Sequence, residues 1–188
     1  MDFSFLEDTA SEVAPCLLGC ILERQLDDQL VRVRIVETES YDQTDAASHS
    51  YKGKTPRTDI MFGPPGYLYV YFTYGMHYCC NVVVGPAGMG AAVLIRAVEP
   101  LTGEGVLSHH RGERRGVEIL NGPAKLCQAL AIDKTMNGHD LHNAPLKLVP
   151  HPPPSKKEII TTTRIGISQA KDKPWRFYVK DNPYVSRY

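Results

Sequence analysis

From Val31 to Val36 the chain alternates, with Val31, Val33 and Ile35 on one parity and Arg32, Arg34 and Val36 on the other. A period of two predicts a strand with one buried face. "CILERQL" leads into it through Asp27-Asp28, a turn pair, so the two segments read as an antiparallel hairpin. Three more strand-like runs follow, Tyr67 to Thr73, Met76 to Val84 and Ala91 to Val98, separated by Tyr74-Gly75 and by the glycine-rich "GPAGMG". Helices are expected over Ala10 to Leu18, over "LTGEGVLSHHRGERRG" and over "NGPAKLCQALAI". The last opens with Asn121-Gly122 as cap and Pro123 in the first turn, where its missing N–H is not needed. After the proline cluster "PHPPPS", the segments "IITTTRIGI" and "WRFYV" are rich in β-branched and aromatic residues and read as two late strands. No repeat and no linker interrupts this pattern, so one α+β domain is expected over residues 1–188, with 1–16 peripheral to it. Asp42 to Pro65 is a polar connection longer than structureless loops usually are in compact domains. Such loops tend to carry function.

Composition narrows the class. At 188 residues and 43% hydrophobic content the chain has enough apolar side chain for one core. No apolar stretch approaches the length that spans a bilayer, and "MDFSFLEDTASEVAP" is acidic and polar, so neither membrane association nor export is expected. Five cysteines are an odd number, and adjacent Cys79 and Cys80 would point to opposite faces of a strand. Free thiols in a reducing compartment are the expectation. Cys16 and Cys20 have no second pair at ligand spacing, so no metal is expected. Lys and Arg total 21, balanced by 21 Asp and Glu; any nucleic-acid face must therefore be local.

Candidate chemistry begins at "VETESY". On a strand Glu37, Glu39 and Tyr41 share one face. A solvated sheet face would look the same, but the long loop carrying His49 starts immediately after Tyr41. A carboxylate beneath such a loop is a general-base candidate. "YLYVYFTYGMHYCCN" holds five of the chain's ten tyrosines. Leu68, Val70 and Phe72 form its expected core face, with Tyr67, Tyr69 and Tyr71 opposite. Tyr74, beside a glycine at a hairpin tip, is badly placed for a core and well placed as an interface anchor or a wedge between stacked bases. Arg96 follows "AAVLI" on what reads as a central strand, where it needs a carboxylate partner, Glu37 or Glu39. Three sets of cations are positioned to meet phosphates or to stay solvated: Lys52, Lys54 and Arg57 in "SYKGKTPR", Arg111, Arg114 and Arg115 in "RGERR", and Lys125 at a helix start.

"RIVETESY", "AASHS", "TPRTDIMFGPPGYLYVYFTYGMHYCCN", "VLIRAVEP", "GPAKLCQALAI", "WRFYV" and "NPYVS" follow one another from about Leu17 to the C-terminus. Together they resemble the alkyladenine (3-methyladenine) DNA glycosylase family. The resemblance implies a curved antiparallel β-sheet with surrounding helices and a protruding β-hairpin. It implies base excision repair by a monofunctional enzyme that needs no cofactor and no metal. Alkylated or deaminated purines (3-methyladenine, 7-methylguanine, hypoxanthine, ethenoadenine) would be flipped from duplex DNA and their N-glycosidic bond hydrolysed by water, leaving an abasic site. By that resemblance Glu39 activates the water and Arg96 helps hold it, while Tyr41, His49 and Tyr71 are aromatic walls for the base. Tyr74 fills the gap in the duplex, Asn81 crowds the 2-amino group of guanine, and backbone around Ala47 and His49 reads the purine edge. Lys52, Lys54, Arg57 and Lys125 are the expected phosphate contacts, and Glu37 is expected to be structural.

The implied partner is double-stranded DNA containing damaged purines. The implied protein is a monomer, cytoplasmic and nucleoid-associated if bacterial, nuclear if eukaryotic. A non-catalytic nucleic-acid-binding module would also use Tyr74 and the basic loop, but would not need Glu39, Arg96 and Asn81 together. A metal-dependent hydrolase built on Glu37, Glu39 and His49 would lose activity to a chelator.

Overall fold

A computed structural model of the protein describes residues 2–26 and 28–186; Asp27, half of the expected hairpin turn, lies outside them. Thr9 and Glu12 form a reciprocal cap, the Thr9 N–H reaching the Glu12 carboxylate at 3.3 Å, and α1 runs over Ala10–Cys16. The hairpin β1 (Ile21–Leu26) and β2 (Gln29–Asp42) follows, then β3 (Leu68–Thr73), β4 (His77–Val83) and β5 (Ala91–Thr102). Next come α2 (Glu104–His110), α3 (Pro123–Ala129), β6 (Leu146–Val149), β7 (Ile159–Thr162) and β8 (Arg176–Val179). The strands form a single curled eight-stranded antiparallel sheet in the order β3-β4-β5-β2-β1-β6, with β8 joined to both β2 and β7. This is the expected α+β architecture.

β2 is the spine. β5 lies along one edge, while the other edge is shared, β1 pairing with Gln29 to Arg34 and β8 with Glu37 to Glu39. Val31, Val33 and Ile35 are fully buried, as their alternation predicts, against Val13 and Ala14 of α1 and Leu126 and Cys127 of α3. Leu6, Ala10 and Val13 belong to this same core. A smaller cluster of Met61, Tyr69, Val83 and Ala92 occupies the other side of the sheet.

Where β2 meets β5 the register slips three times, once between Arg32 and Val33 and twice in succession after Ile35. Ile35 faces Val98, Glu37 faces Ala97 and Thr38 faces Ile95, so Val36 and Arg96 each have no residue opposite. Bulges of this kind bend a strand and re-aim its side chains, and Val36 is buried although its parity assigned it to the polar face.

Two other expectations change, and one strand arises where none was expected. The helix expected from Leu101 to Gly116 is shorter, because Leu101 and Thr102 complete β5, Gly103 turns at φ 79, and Gly112 and Glu113 stop the helix at φ 63 and 64. β6 had no forecast, its four residues being too few to show a period. Phe72 is 51% exposed rather than in the core, because the β3–β4 hairpin projects beyond the strands that would cover it.

Candidate active site

A cavity of about 500 Å³ opens where β2 to β5 meet the loop after β2 and the segment 165–169. Glu39, Tyr41, Ala47, His49, Tyr71, Asn81 and Arg96 all line it, with Tyr74 at its edge. At its floor Glu39 is completely buried. Its Oε2 accepts the Tyr41 hydroxyl at 2.8 Å, and its Oε1 accepts the Ile165 N–H at 2.8 Å and lies 3.3 Å from an Arg96 guanidinium nitrogen. Burial pushes the Tyr41 phenol well above its ordinary pKa, and the Glu39 charge adds to that, so Tyr41 stays a donor. Burial alone would lower the Arg96 pKa, but Glu39 and Glu37 outweigh it and hold the guanidinium charged.

The walls are fixed from behind. Arg164 lies 4.6 Å from the Tyr41 ring centroid, is completely buried, pairs with Asp45 through two nitrogens and donates to the Ser40 carbonyl at 2.9 Å. Asp45 in turn accepts the Ala47 N–H at 3.1 Å, whereas the His49 N–H makes no hydrogen bond among the described residues. One ion pair therefore clamps the loop after β2 onto the strand that carries Glu39.

His49 Nε2 lies 3.4 Å from an Arg57 guanidinium nitrogen, and its Nδ1 lies 2.9 Å from the Tyr69 hydroxyl. Arginine can only donate, so we assign Nε2 as acceptor and Nδ1–H as donor to Tyr69. Burial, with Arg57 adding to it, pushes the His49 pKa down to about 4; the exposed edge of the ring lines the cavity. His49 and Tyr71 stand edge to face at 4.5 Å, forming one continuous wall. Asn81 is held by its amide to the Tyr69 carbonyl at 3.1 Å. Burial raises the Cys79 thiol to about 11, so it is a protonated lining group and not a nucleophile.

Tyr74 is 80% exposed at the hairpin tip, with φ 52, and Gly75 follows at φ 67. Three residues, Tyr74 to Met76, separate the paired Thr73 and His77, and the two positive φ values sit at the centre of a turn closed by the Met76 N–H donating to the Thr73 carbonyl at 3.3 Å. Met76 and Phe72 are exposed beside it.

The cations are dispersed. Lys52 is exposed, Lys54 pairs with Asp59 at 2.6 Å, and Lys125 reaches Glu118 at 2.8 Å and Asn121 at 2.7 Å. Arg57 turns toward the cavity, 5.8 Å from the Tyr71 centroid. Arg111 is tied to Gln128, whereas Arg114 and Arg115 are exposed. Among the described residues no three His, Cys, Asp or Glu side chains converge to hold a metal ion; Glu37 is instead surrounded by Arg96, Arg176 and Ser186. Sequence reasoning did not single out Asp45, Arg164, Ile165, Arg176 or Ser186; the side-chain partners that tie Arg164, Arg176 and Ser186 to the site lie more than a hundred residues away along the chain.

A family profile described as Methylpurine-DNA glycosylase (MPG) matches residues 4–183. A protein of Carboxydothermus hydrogenoformans, provisionally named a 3-methyladenine DNA glycosylase, is 53% identical over 176 residues, covering 93% of this chain and 92% of its own. A protein of Methanoculleus marisnigri with the same provisional name is 45% identical over 187 residues, covering 98% and 97%. Another, from Nitrosospira multiformis, is 47% identical over 154 residues, covering 82% and 79%.

Proposed function

The chain belongs to the methylpurine-DNA glycosylase family, hydrolases that act on N-glycosyl bonds in DNA repair, and from that premise we propose that it excises flipped, damaged purines with water activated by Glu39. One observation carries the reading: a completely buried carboxylate at the floor of an aromatic cavity, surrounded by proton donors. Breaking the glycosidic bond leaves positive charge on the sugar, which Glu39 stabilises while it takes a proton from the attacking water. A positioned base is typically worth about a hundred- to ten-thousand-fold. Among the described residues no lysine lines the cavity, which supports a reaction without a Schiff base whose product is the abasic site.

Flipping costs a few kcal/mol. Stacking on Tyr41 and on the His49–Tyr71 wall returns about 1–3 kcal/mol per contact, and Tyr74 enters the vacated stack. Asn81 crowds the amino group of guanine, and backbone at Ala47 and His49 meets the purine edge. Lys52, Lys54, Arg57 and Lys125 approach phosphates. The substrates are 3-methyladenine, 7-methylguanine, hypoxanthine and ethenoadenine in duplex DNA, and the enzyme acts as a monomeric single domain.

The test is incubation with duplexes carrying one hypoxanthine or one ethenoadenine, in EDTA, followed by hot alkali. Alkali-dependent cleavage is expected for the wild type. Glu39→Gln is expected to bind the lesion as well as wild type and to lose at least about a hundred-fold in excision. Unchanged turnover in that variant would remove Glu39 from the mechanism.

A further inference from the structure

Beside Glu39 sits a second carboxylate to which the reaction above gives no task. Glu37 is completely buried. Its Oε1 accepts from Arg96 Nε at 3.0 Å, from Arg176 Nε at 2.6 Å and from the Ser186 hydroxyl at 2.9 Å; its Oε2 accepts the Ser186 N–H at 2.7 Å. Arg96 is thereby divided among three partners, Nε on Glu37, Nη2 on the Ser186 hydroxyl at 3.2 Å, and only Nη1 toward Glu39, at 3.3 Å.

That division matters because a guanidinium beside a single carboxylate tends to grip both oxygens at once. A carboxylate offers about four lone-pair directions. On Glu39, Tyr41 and Ile165 take two by hydrogen bond, and Arg96 Nη1 stands off Oε1 at ion-pair distance, 3.3 Å. A two-pronged grip by Arg96 would take the two that remain, one of which must receive the proton of the attacking water. The paired bulges at Val36 and Arg96 bring both carboxylates to one guanidinium.

We propose, resting on the reading of Glu39 as general base, that Glu37 is a positioning residue that turns Arg96 away from a two-pronged grip on Glu39 and balances the Arg176 charge, leaving one Glu39 oxygen open to water. Glu37 and Glu39 together match Arg96 and Arg176 in charge. Arg164 also faces Glu39, but Asp45 neutralises it. Tyr41, Tyr71 and Cys79, the other titratable groups around Glu39, are kept protonated by burial.

The signs follow from the charge count. Glu37→Gln leaves two guanidinium groups against one carboxylate, which favours ionised Glu39 and moves the acidic limb of the rate profile to lower pH. Arg176→Gln leaves two carboxylates against one guanidinium and moves that limb to higher pH. The double variant is balanced again.

The experiment is single-turnover excision of hypoxanthine against pH for wild type, Glu37→Gln, Arg176→Gln and the double variant, with lesion affinity measured alongside. Opposite displacements of about one pH unit in the single variants are expected, with the double variant returning to the wild-type limb. Glu37→Gln is expected to lose at least about ten-fold in plateau rate with lesion affinity unchanged. Singles that slow the rate without moving the limb, or that move it the same way, would overturn the proposal and leave Glu37 a packing role. Should Glu37→Gln fail to fold, Arg176→Gln decides alone, because a limb that stays put or falls overturns the proposal. Glu39→Gln in the same series separates the two ideas: if it turns over normally the general-base reading fails, and if it is inactive while the limbs do not move, only the Glu37 assignment fails.

Discussion

At His49 the hydrogen bonds and the protonation state agree. A ring that accepts from Arg57 and donates to Tyr69 is neutral, and burial lowers its pKa to about 4. In the unfolded chain histidine takes up its proton near 6.5. Between those values the unfolded state holds more protons, so the stability that His49 contributes is full above about pH 6.5 and is lost as pH falls toward 4. The imidazole is expected to give the NMR signature of a neutral ring at about pH 5.5, and His49→Gln to flatten the acid loss of stability over that window. A ring already charged at that pH would contradict the assigned tautomer.

The neighbouring Arg57 bears on lesion choice. It lies against the Tyr71 wall with no carboxylate partner among the described residues, whereas Arg164 behind Tyr41 is neutralised by Asp45. A cationic base therefore meets one uncompensated like charge. Arg57→Ala is expected to raise excision of 7-methylguanine relative to hypoxanthine by about three-fold, the effect of two unit charges roughly 7 Å apart in a water-like dielectric. If Arg57 served only a phosphate, both rates would fall alike.

Among the elements, the β3–β4 hairpin separates folding from DNA contact. Tyr74 is 80% exposed, so Tyr74→Ala is expected to change unfolding free energy by no more than about 0.5 kcal/mol. The same variant should weaken base flipping, read from 2-aminopurine fluorescence beside the lesion. A large fall in melting temperature would mean that the ring packs on the fold.

This hairpin was legible in the sequence because a Tyr-Gly pair between two alternating runs has a turn chemistry of its own. So was the core face of β2. The bulges were not, since an extra residue leaves no mark in a hydrophobic pattern and shows itself only against the partner strand. Nor was the clamp between Asp45 and Arg164, 119 residues apart: an ion pair is a property of the folded chain. The catalytic and base-binding candidates line one cavity, whereas Lys52, Lys54, Arg57 and Lys125 do not; of the supports, Arg176 and Ser186 lie within "WRFYV" and "NPYVS", but neither motif tells which carboxylate they meet, and Arg164 lies in none of the family motifs.

For the whole molecule, zero net charge limits how firmly undamaged DNA is held. Of the four proposed phosphate contacts, Lys54 and Lys125 already sit on carboxylates, leaving Lys52 and Arg57. Affinity for an undamaged duplex is expected to fall with salt at a log–log slope near −2, since each neutralised phosphate adds roughly −0.9. Fluorescence anisotropy across roughly 50–200 mM salt measures this. A slope steeper than about −4 would bring Arg114 and Arg115 into the DNA face.

The hydrogen bonds between Glu37 and Ser186 join residues 149 positions apart. Read as a sequence of events in synthesis, they make the catalytic floor among the last parts of the molecule to be finished. Chains grow at about 5–20 residues per second, so on the order of ten seconds separate the appearance of the two carboxylates from that of the segment that orients Arg96. Until then a nascent chain can present its aromatic walls and its hairpin but not the finished surroundings of Glu39, and on the proposed function competence to excise a base arrives only after nearly all of this sequence has been made.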